Sequence, residues 1–332
     1  MKIKIISIII IVIVAWTGIV LAGDYNGWFR NPGTKVVDIP QGANLTQISR
    51  LLADEGVISN STLFRLAARG SATEFKAGRH TLQGDMSYNQ LISTLQLAPR
   101  VEGVRITIPE GFEVRQIAAR LAANGLVDAQ EFIHTANTGR FDEERFPFLR
   151  GITRREGRLE GYLFPATYEI APGATAHDII VQMLEAFAAN FTETHYNQAR
   201  ALGMTVDQVI TLASIVEREA AGDIDRAKVA SVFHNRLNST HMPYLQSCAT
   251  VQYILQERRP ILTIADTRIP SPYNTYLNRG LPIGPIASPG MASINATLNP
   301  ADTPYFFFVV NHGGSHTFSR TYAEHNAAMR RI

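Results

Sequence analysis

One cysteine, Cys248, stands in 332 residues. No intrachain disulfide is available, so the fold must rest on apolar burial, and a lone thiol of this kind is expected to be buried rather than reactive. Charge of either sign is not in excess. With Lys2 and Lys4 set aside, the 31 basic residues fall to 29, against 29 acidic ones, so the remainder is formally neutral. Such a surface gives nucleic acid no electrostatic footprint, and no nucleic-acid partner is expected. Metal-site spacing is missing as well: His312 and His316 bracket a Gly-Gly turn instead of sharing a helix face, and His325 stands apart. No Gly-x-Ser-x-Gly surrounds Ser214 or Ser288, so neither has the local pattern of a nucleophile elbow.

What is present begins with a hydrophobic run. Lys2 and Lys4 precede Ile5 to Gly23, nineteen residues without a charge, and Asp24 follows. At 1.5 Å per residue the run spans roughly 28 Å, close to the hydrocarbon core of a bilayer. The leading lysines keep residues 1–4 cytoplasmic and place everything after 24 on the outer face of a cytoplasmic membrane, as a single-pass protein. Tyr25, Trp28 and Phe29 then fall at the outer interfacial belt. The competing reading is a cleaved signal peptide with Val20-Leu21-Ala22 as its site; the run is longer than the usual h-region, which favours a retained anchor. Either reading exports the rest.

The chain repeats itself. Residues 39–70 and 108–139 align without a gap at an offset of 69. Ile39-Pro40-x-Gly42 recurs as Ile108-Pro109-x-Gly111, and Gln47-Ile48, Leu52-Ala53, Gly56, Ala67 and Gly70 recur in the same places. Each copy reads as strand, turn, amphipathic helix, glycine stop and second short helix, with Gly56 as a left-handed cap in the first. Residues 24–100 have the size and pattern of a LysM-like glycan-binding module, with a plain α+β spacer as the alternative. Residues 101–150 form a second repeat-like segment.

From about residue 150 the texture changes, through Arg154-Arg155-Glu156-Gly157-Arg158, to helices over 176–191, 206–220 and 224–237. A Pro/Gly/Tyr-rich passage occupies 270–304. Strand 305–310, a turn at 311–314, a return strand from His316 and a helix over 322–331 end the chain. Residues 151–332 are read as one mixed α+β domain, giving an α+β protein overall behind a single transmembrane helix.

The most informative helix opens with the capping box Thr205-Val206-Asp207-Gln208. Counted from Val209, the residues Leu212, Val216, Ala213, Val206 and Ile210 form a buried arc, and Glu217 lies within it at about 80°. Arg218, at about 180°, is expected to face water. Glu219, at about 280°, lies on the far edge. Desolvation beside Val206, Ile210 and Ala213 would raise the pKa of Glu217 toward that of a general acid. The alternative is a buried structural carboxyl paired with Arg236 on the next helix.

Ala213-Ser214-Ile215-Val216-Glu217-Arg218-Glu219, Val229-Ala230-Ser231-Val232-Phe233-His234-Asn235-Arg236-Leu237, Leu245-Gln246-Ser247 and Thr250-Val251-Gln252-Tyr253 carry a resemblance. So do Leu159-Glu160-Gly161-Tyr162-Leu163-Phe164-Pro165, Tyr273-Asn274-Thr275-Tyr276, the run Gly280 to Gly290, and His316-Thr317-Phe318. Together they resemble the endolytic murein lytic transglycosylases, the YceG-like family, over essentially the whole chain. The resemblance places the catalytic glutamate on Glu217 and implies cleavage of peptidoglycan glycan strands by one carboxyl, without metal or cofactor, leaving a 1,6-anhydro-muramyl end. It implies action on nascent strands as a terminase, with peptidoglycan synthases as partners. Tyr273, Asn274 and Tyr276 offer aromatic faces and polar groups to a saccharide; Gln246, Asn235 and Glu160 are further substrate-binding candidates. Ala166 and Cys248-Ala249 depart from residues frequent in the family, Asp and Asp-Pro. A hydrolase using two carboxyls and a glycan-binding scaffold without catalysis are the rival functions.

Overall fold

The computed structural model describes residues 2–71, 74–98, 103–152, 158–220, 222–259 and 261–332; the side chains of 2–9 and 223 lie outside the description, as does the Arg154 to Gly157 stretch. The chain divides into two compact units, Met1–Glu102 and Gly103–Ile332.

The first unit runs α1 (Lys2–Asn26), β1 (Thr34–Ile39), α2 (Leu45–Asp54), α3 (Ser61–Ala67), β2 (Gly78–Gln83) and α4 (Tyr88–Gln96). Strands β1 and β2 pair antiparallel with Thr34 opposite Gln83 and Ile39 opposite Gly78. Alternation along β1 turns Val37 and Ile39 inward, where they meet Ile48 and Leu52 from α2, Phe64 from α3 and Tyr88 and Leu91 from α4. Asp24, near the end of α1, accepts from Ser59 N–H at 3.0 Å and from the Tyr88 hydroxyl, fastening that end to the core. The described apolar part of α1 is Ile10–Asn26, and among the described residues no single helix is long and apolar enough to cross a membrane.

The second unit begins by repeating the first. β3 (Val104–Thr107), α5 (Val114–Ala123) and α6 (Ala129–Thr138) follow the order of β1, α2 and α3, and α2 and α5 have identical bounds once shifted by 69 residues. The cause is visible in the caps. Gln47 and Gln116 each accept from the backbone N–H three residues earlier, at 2.9 and 3.0 Å. Both helices end on a glycine at φ +68°. Val57 N–H reaches back to Leu52 O at 2.8 Å and Leu126 N–H to Leu121 O at 3.1 Å, the same left-handed stop twice. The closing strand of the second copy, β4 (Thr167–Ile170), arrives only after a long excursion and pairs with β3, Val104 opposite Ile170.

Beyond β4 come α7 (Ala176–Asn190), α8 (Glu193–Ala201), α9 (Val206–Glu219), α10 (Asp223–Leu237), α11 (Cys248–Leu255), α12 (Met291–Leu298), a hairpin of β5 (Phe307–Val310) and β6 (His316–Ser319), and α13 (Tyr322–Met329). The predicted α7, α9, α10, hairpin and last helix are present within two residues or so. α8, α11 and α12 were not predicted. The second copy packs with α7 around Phe148, Tyr162 and Phe187, so residues 103–150 share a core with the domain expected to start at 151.

Because Gly125 owes its place only to its left-handed φ, with nothing within 4 Å of a built Cβ, Gly125→Ala is expected to cost about 1 kcal/mol. Denaturant unfolding of the variant checks this.

Candidate functional site

α9 is buried on every side: Val209, Ile210, Thr211, Leu212, Ala213, Ser214, Ile215 and Val216 are all inaccessible. Packing against α8, α10, α11 and α12 leaves it no solvent face. This corrects the expectation for Arg218, whose side chain is 5% exposed and lies 3.5 Å from Glu113, with a hydrogen bond to Gly111 O at 3.0 Å. With no outward face, the direction of a residue on α9 decides which neighbour it meets.

Glu217 meets α12 and α10. Its Oε2 accepts from Gly290 N–H at 3.1 Å and from the Ser293 hydroxyl at 2.7 Å, at the N-terminus of α12. Its Oε1 lies 3.7 Å from Arg226. The arginine is therefore Arg226 and not Arg236, whose guanidinium is spent on the carbonyls of Phe306 and Leu245. A carboxyl held by two donors and a cation ties three helices together.

Glu219 meets α11. Its Oε1 accepts from the Ser247 hydroxyl at 2.5 Å and from Ala249 N–H at 3.2 Å. Its Oε2 receives no hydrogen bond from the described residues. Glu219 lines a cavity of about 490 Å³ with Gln246, Tyr276, Phe307, Tyr322 and His325, and is its only carboxyl among the described residues. Gln246 holds φ +51°, costly for a residue with a Cβ, and bonds Thr275 O at 3.1 Å and Arg236 at 3.3 Å. Cys248, expected to be buried, is exposed on the same wall, its sulfur 3.2 Å from the Tyr276 hydroxyl. His316, behind Phe308, bonds Asp225 through Nδ1 at 3.2 Å.

The other candidates lie elsewhere. Asn274 is fully buried and donates to Thr267 O and Ile269 O at 3.1 and 2.8 Å; it holds its own loop. Asn235 likewise donates to Thr303 O and Tyr305 O, both at 2.8 Å. Neither side chain reaches a cavity, because the amide geometry that suits a sugar suits a loop carbonyl equally well. Tyr273 and Glu160 line a separate cavity of about 280 Å³ with Tyr253, Glu113 and Arg115. Sequence reasoning passed over Glu219. The available signal was its angle, next to Leu212 at the edge of the buried arc.

An α+β fold with an isolated carboxyl over an aromatic cavity defines the class as a single-acid enzyme site. The comparisons identify it further. The YceG-like family model matches residues 37–331, and the chain belongs to that family. It is 33% identical over 309 residues to a Bacillus subtilis protein named endolytic murein transglycosylase, covering 89% of this chain and 84% of that one. A Streptococcus pneumoniae protein of the same name is 33% identical over 299 residues, covering 83% of this chain and 54% of its own length. A crystal structure of a YceG-like protein from Listeria monocytogenes superposes with a TM-score of 0.61 at 33% identity, over 90% of this chain and 100% of that one.

Glu160 has an electrostatic consequence of its own. Burial, seconded by the Glu113 charge, pushes its carboxyl up to about 8, against the opposing bonds from Val114 N–H at 3.0 Å and Tyr253 at 3.2 Å. An unfolded glutamate ionises near 4.5. Between those pH values the folded state holds the extra proton, so stability falls as pH rises and levels off above about 8. Glu160→Gln is expected to remove that slope, melting above the wild type at pH 8 and close to it at pH 5 in calorimetry.

Proposed function

We propose that this protein is a lytic transglycosylase that cuts the β-1,4 bond between N-acetylmuramic acid and N-acetylglucosamine inside peptidoglycan strands, with Glu219 as acid and base. The observation that carries the reading is the asymmetry of that carboxyl: one oxygen is fixed by Ser247 and Ala249, and the other is left to a ligand in the cavity. A two-carboxylate hydrolase needs a second acid across the scissile bond, about 5 to 9.5 Å away. Glu219 has no such companion among the described residues lining the cavity.

One carboxyl suffices when the sugar supplies the nucleophiles. Protonated Glu219 gives its proton to the glycosidic oxygen as the C1–O bond breaks, and the acetamido oxygen closes on C1. The carboxylate then takes the proton of the C6 hydroxyl, O6 replaces the acetamido oxygen at C1, and a 1,6-anhydro end remains with Glu219 protonated again. Tyr276 and Gln246 border the reacting carboxyl. Phe307 stacks on His325 at 5.2 Å with Tyr322 at 5.9 Å, a platform suited to a pyranose face.

A second reading keeps the acid on Glu217, as the family resemblance implies, supported by its place in the same helical turn and its 9% exposed side chain. Its three partners favour a structural role. The apolar side chains of Ile11, Val12, Val14 and Trp16 are 59–68% exposed around α1, which suits lipid and supports a single-pass anchor with the cavity on the outer face of the cytoplasmic membrane. The two strand-helix-helix-strand copies are read as LysM-like. Cutting nascent strands beside synthases would make the enzyme a terminase of glycan elongation.

Glu219→Gln is expected to lower cleavage of purified glycan strands by at least about a hundredfold with unchanged melting. Glu217→Gln should melt earlier, by about 1 to 2 kcal/mol, yet still cleave. The reverse pattern in folded variants would return the acid to Glu217. Mass spectrometry separates anhydro ends from the reducing ends of a hydrolase, and intact strands would indicate a scaffold. Tyr322→Ala should raise KM about tenfold, whereas Tyr322→Phe should leave it unchanged.

A further inference from the structure

The two copies differ in what meets their glycine turn. In the second copy, Gly111 N–H donates to Ser288 O and Ser288 N–H donates to Phe112 O, both at 2.8 Å. Two residues thus face one, and the first is a glycine at φ +74°. This is a G1 bulge, in which Ser288 acts as a single strand residue laid against the turn. Ser288 is fully buried there.

The first copy holds the same half of that bulge. Gly42 has φ +76°, and Gly42 and Ala43 stand 69 residues before Gly111 and Phe112. Among the described residues, nothing bonds the Gly42 N–H or the Ala43 carbonyl. The turn instead borders a cavity of about 410 Å³ whose other wall is Gln47, Arg50, Leu51 and Asp54 of α2. In the second copy Ala119 and Ala123 replace Arg50 and Asp54, so the charged rim belongs to the first alone.

We propose that this cavity binds an extended segment of a partner protein, one residue of which completes the bulge on Gly42 and Ala43 as Ser288 does on Gly111 and Phe112. An extended residue turns its N–H and C=O to the same side and can satisfy both groups together. The trans amide of an N-acetyl sugar points its N–H and C=O in opposite directions and satisfies only one. The protein's own Ser288 segment is already engaged in the second copy, so the occupant comes from another chain. A small residue followed by proline, as in Ala287-Ser288-Pro289, is the sequence the internal example fits.

The test uses the full chain in detergent micelles, with glycine nitrogen and alanine carbonyl carbon labelled. The Gly42 signal is identified by its loss in Gly42→Ala. The probe is a blocked peptide of residues 285–291, Pro-Ile-Ala-Ser-Pro-Gly-Met, with the same peptide N-methylated at its serine as control. Expected are saturable shifts at Gly42 and Ala43, none at Gly111, and at least fivefold weaker binding of the N-methyl peptide. Equal binding of the two peptides would overturn the proposal, as would shifts at Gly111, which report displacement of the protein's own loop. Absence of any shift up to several millimolar peptide would also overturn it, and so would saturation at Gly42 by chitotetraose without peptide binding.

Discussion

The last turn of α9 is the point on which the second unit depends. Three consecutive charged residues, about 100° apart, each engage a different neighbour. Glu217 takes the N-terminus of α12 and Arg226 of α10, Arg218 takes the glycine turn of the second copy, and Glu219 takes the start of α11. Two carboxylates at the carboxyl end of a helix oppose its dipole. Here the opposition is offset by backbone N–H groups from two other helix starts, at Gly290 and Ala249, so those helices are drawn to one place.

That arrangement divides the labour between two acids of similar sequence context. Glu217 has donors at one oxygen and a guanidinium near the other, and its contacts are all internal. Glu219 has donors at one oxygen alone. A proton-transferring group needs a fixed orientation and an unused lone pair, and only the second carboxyl combines them. The αL turn at Gln246 and the buried Thr250–Thr275 contact at 3.0 Å hold Ser247 in its position as donor.

The repeat, the long helices and the final hairpin were legible because each rests on local signals: Gln at the third helical position, a glycine stop, alternation in Phe306 to Val310. α12 was not legible, because Met291 to Leu298 is short, follows Pro289-Gly290, and owes its stability to packing on α9 and to the Glu217 cap. The pairing of β3 with β4 was hidden by the residues between them. At the site, Tyr276 and Gln246 were recognised by chemistry, whereas Glu219 was set aside because the helix was read as one-sided. A helix buried all round gives no warning in its periodicity when its neighbours supply polar partners at both edges. Asn235 and Asn274 show the converse, since polar residues near a site serve loop carbonyls as readily as ligands.

The second copy has a consequence for where the enzyme can be cut. Its first strand and both helices precede residue 139, yet its last strand lies at Thr167–Ile170, beyond the segment that carries Glu160 and Tyr162. A fragment begun at residue 151 would leave β4 without its partner, Arg218 without Gly111 and Glu113, and Ser288 without its turn. The smallest piece able to keep the Glu219 cavity in shape therefore starts near residue 103. Insertions or tags between the two units fall outside every one of these contacts, whereas the stretch from 103 to 150, for all its likeness to the module before it, is structurally part of the enzyme.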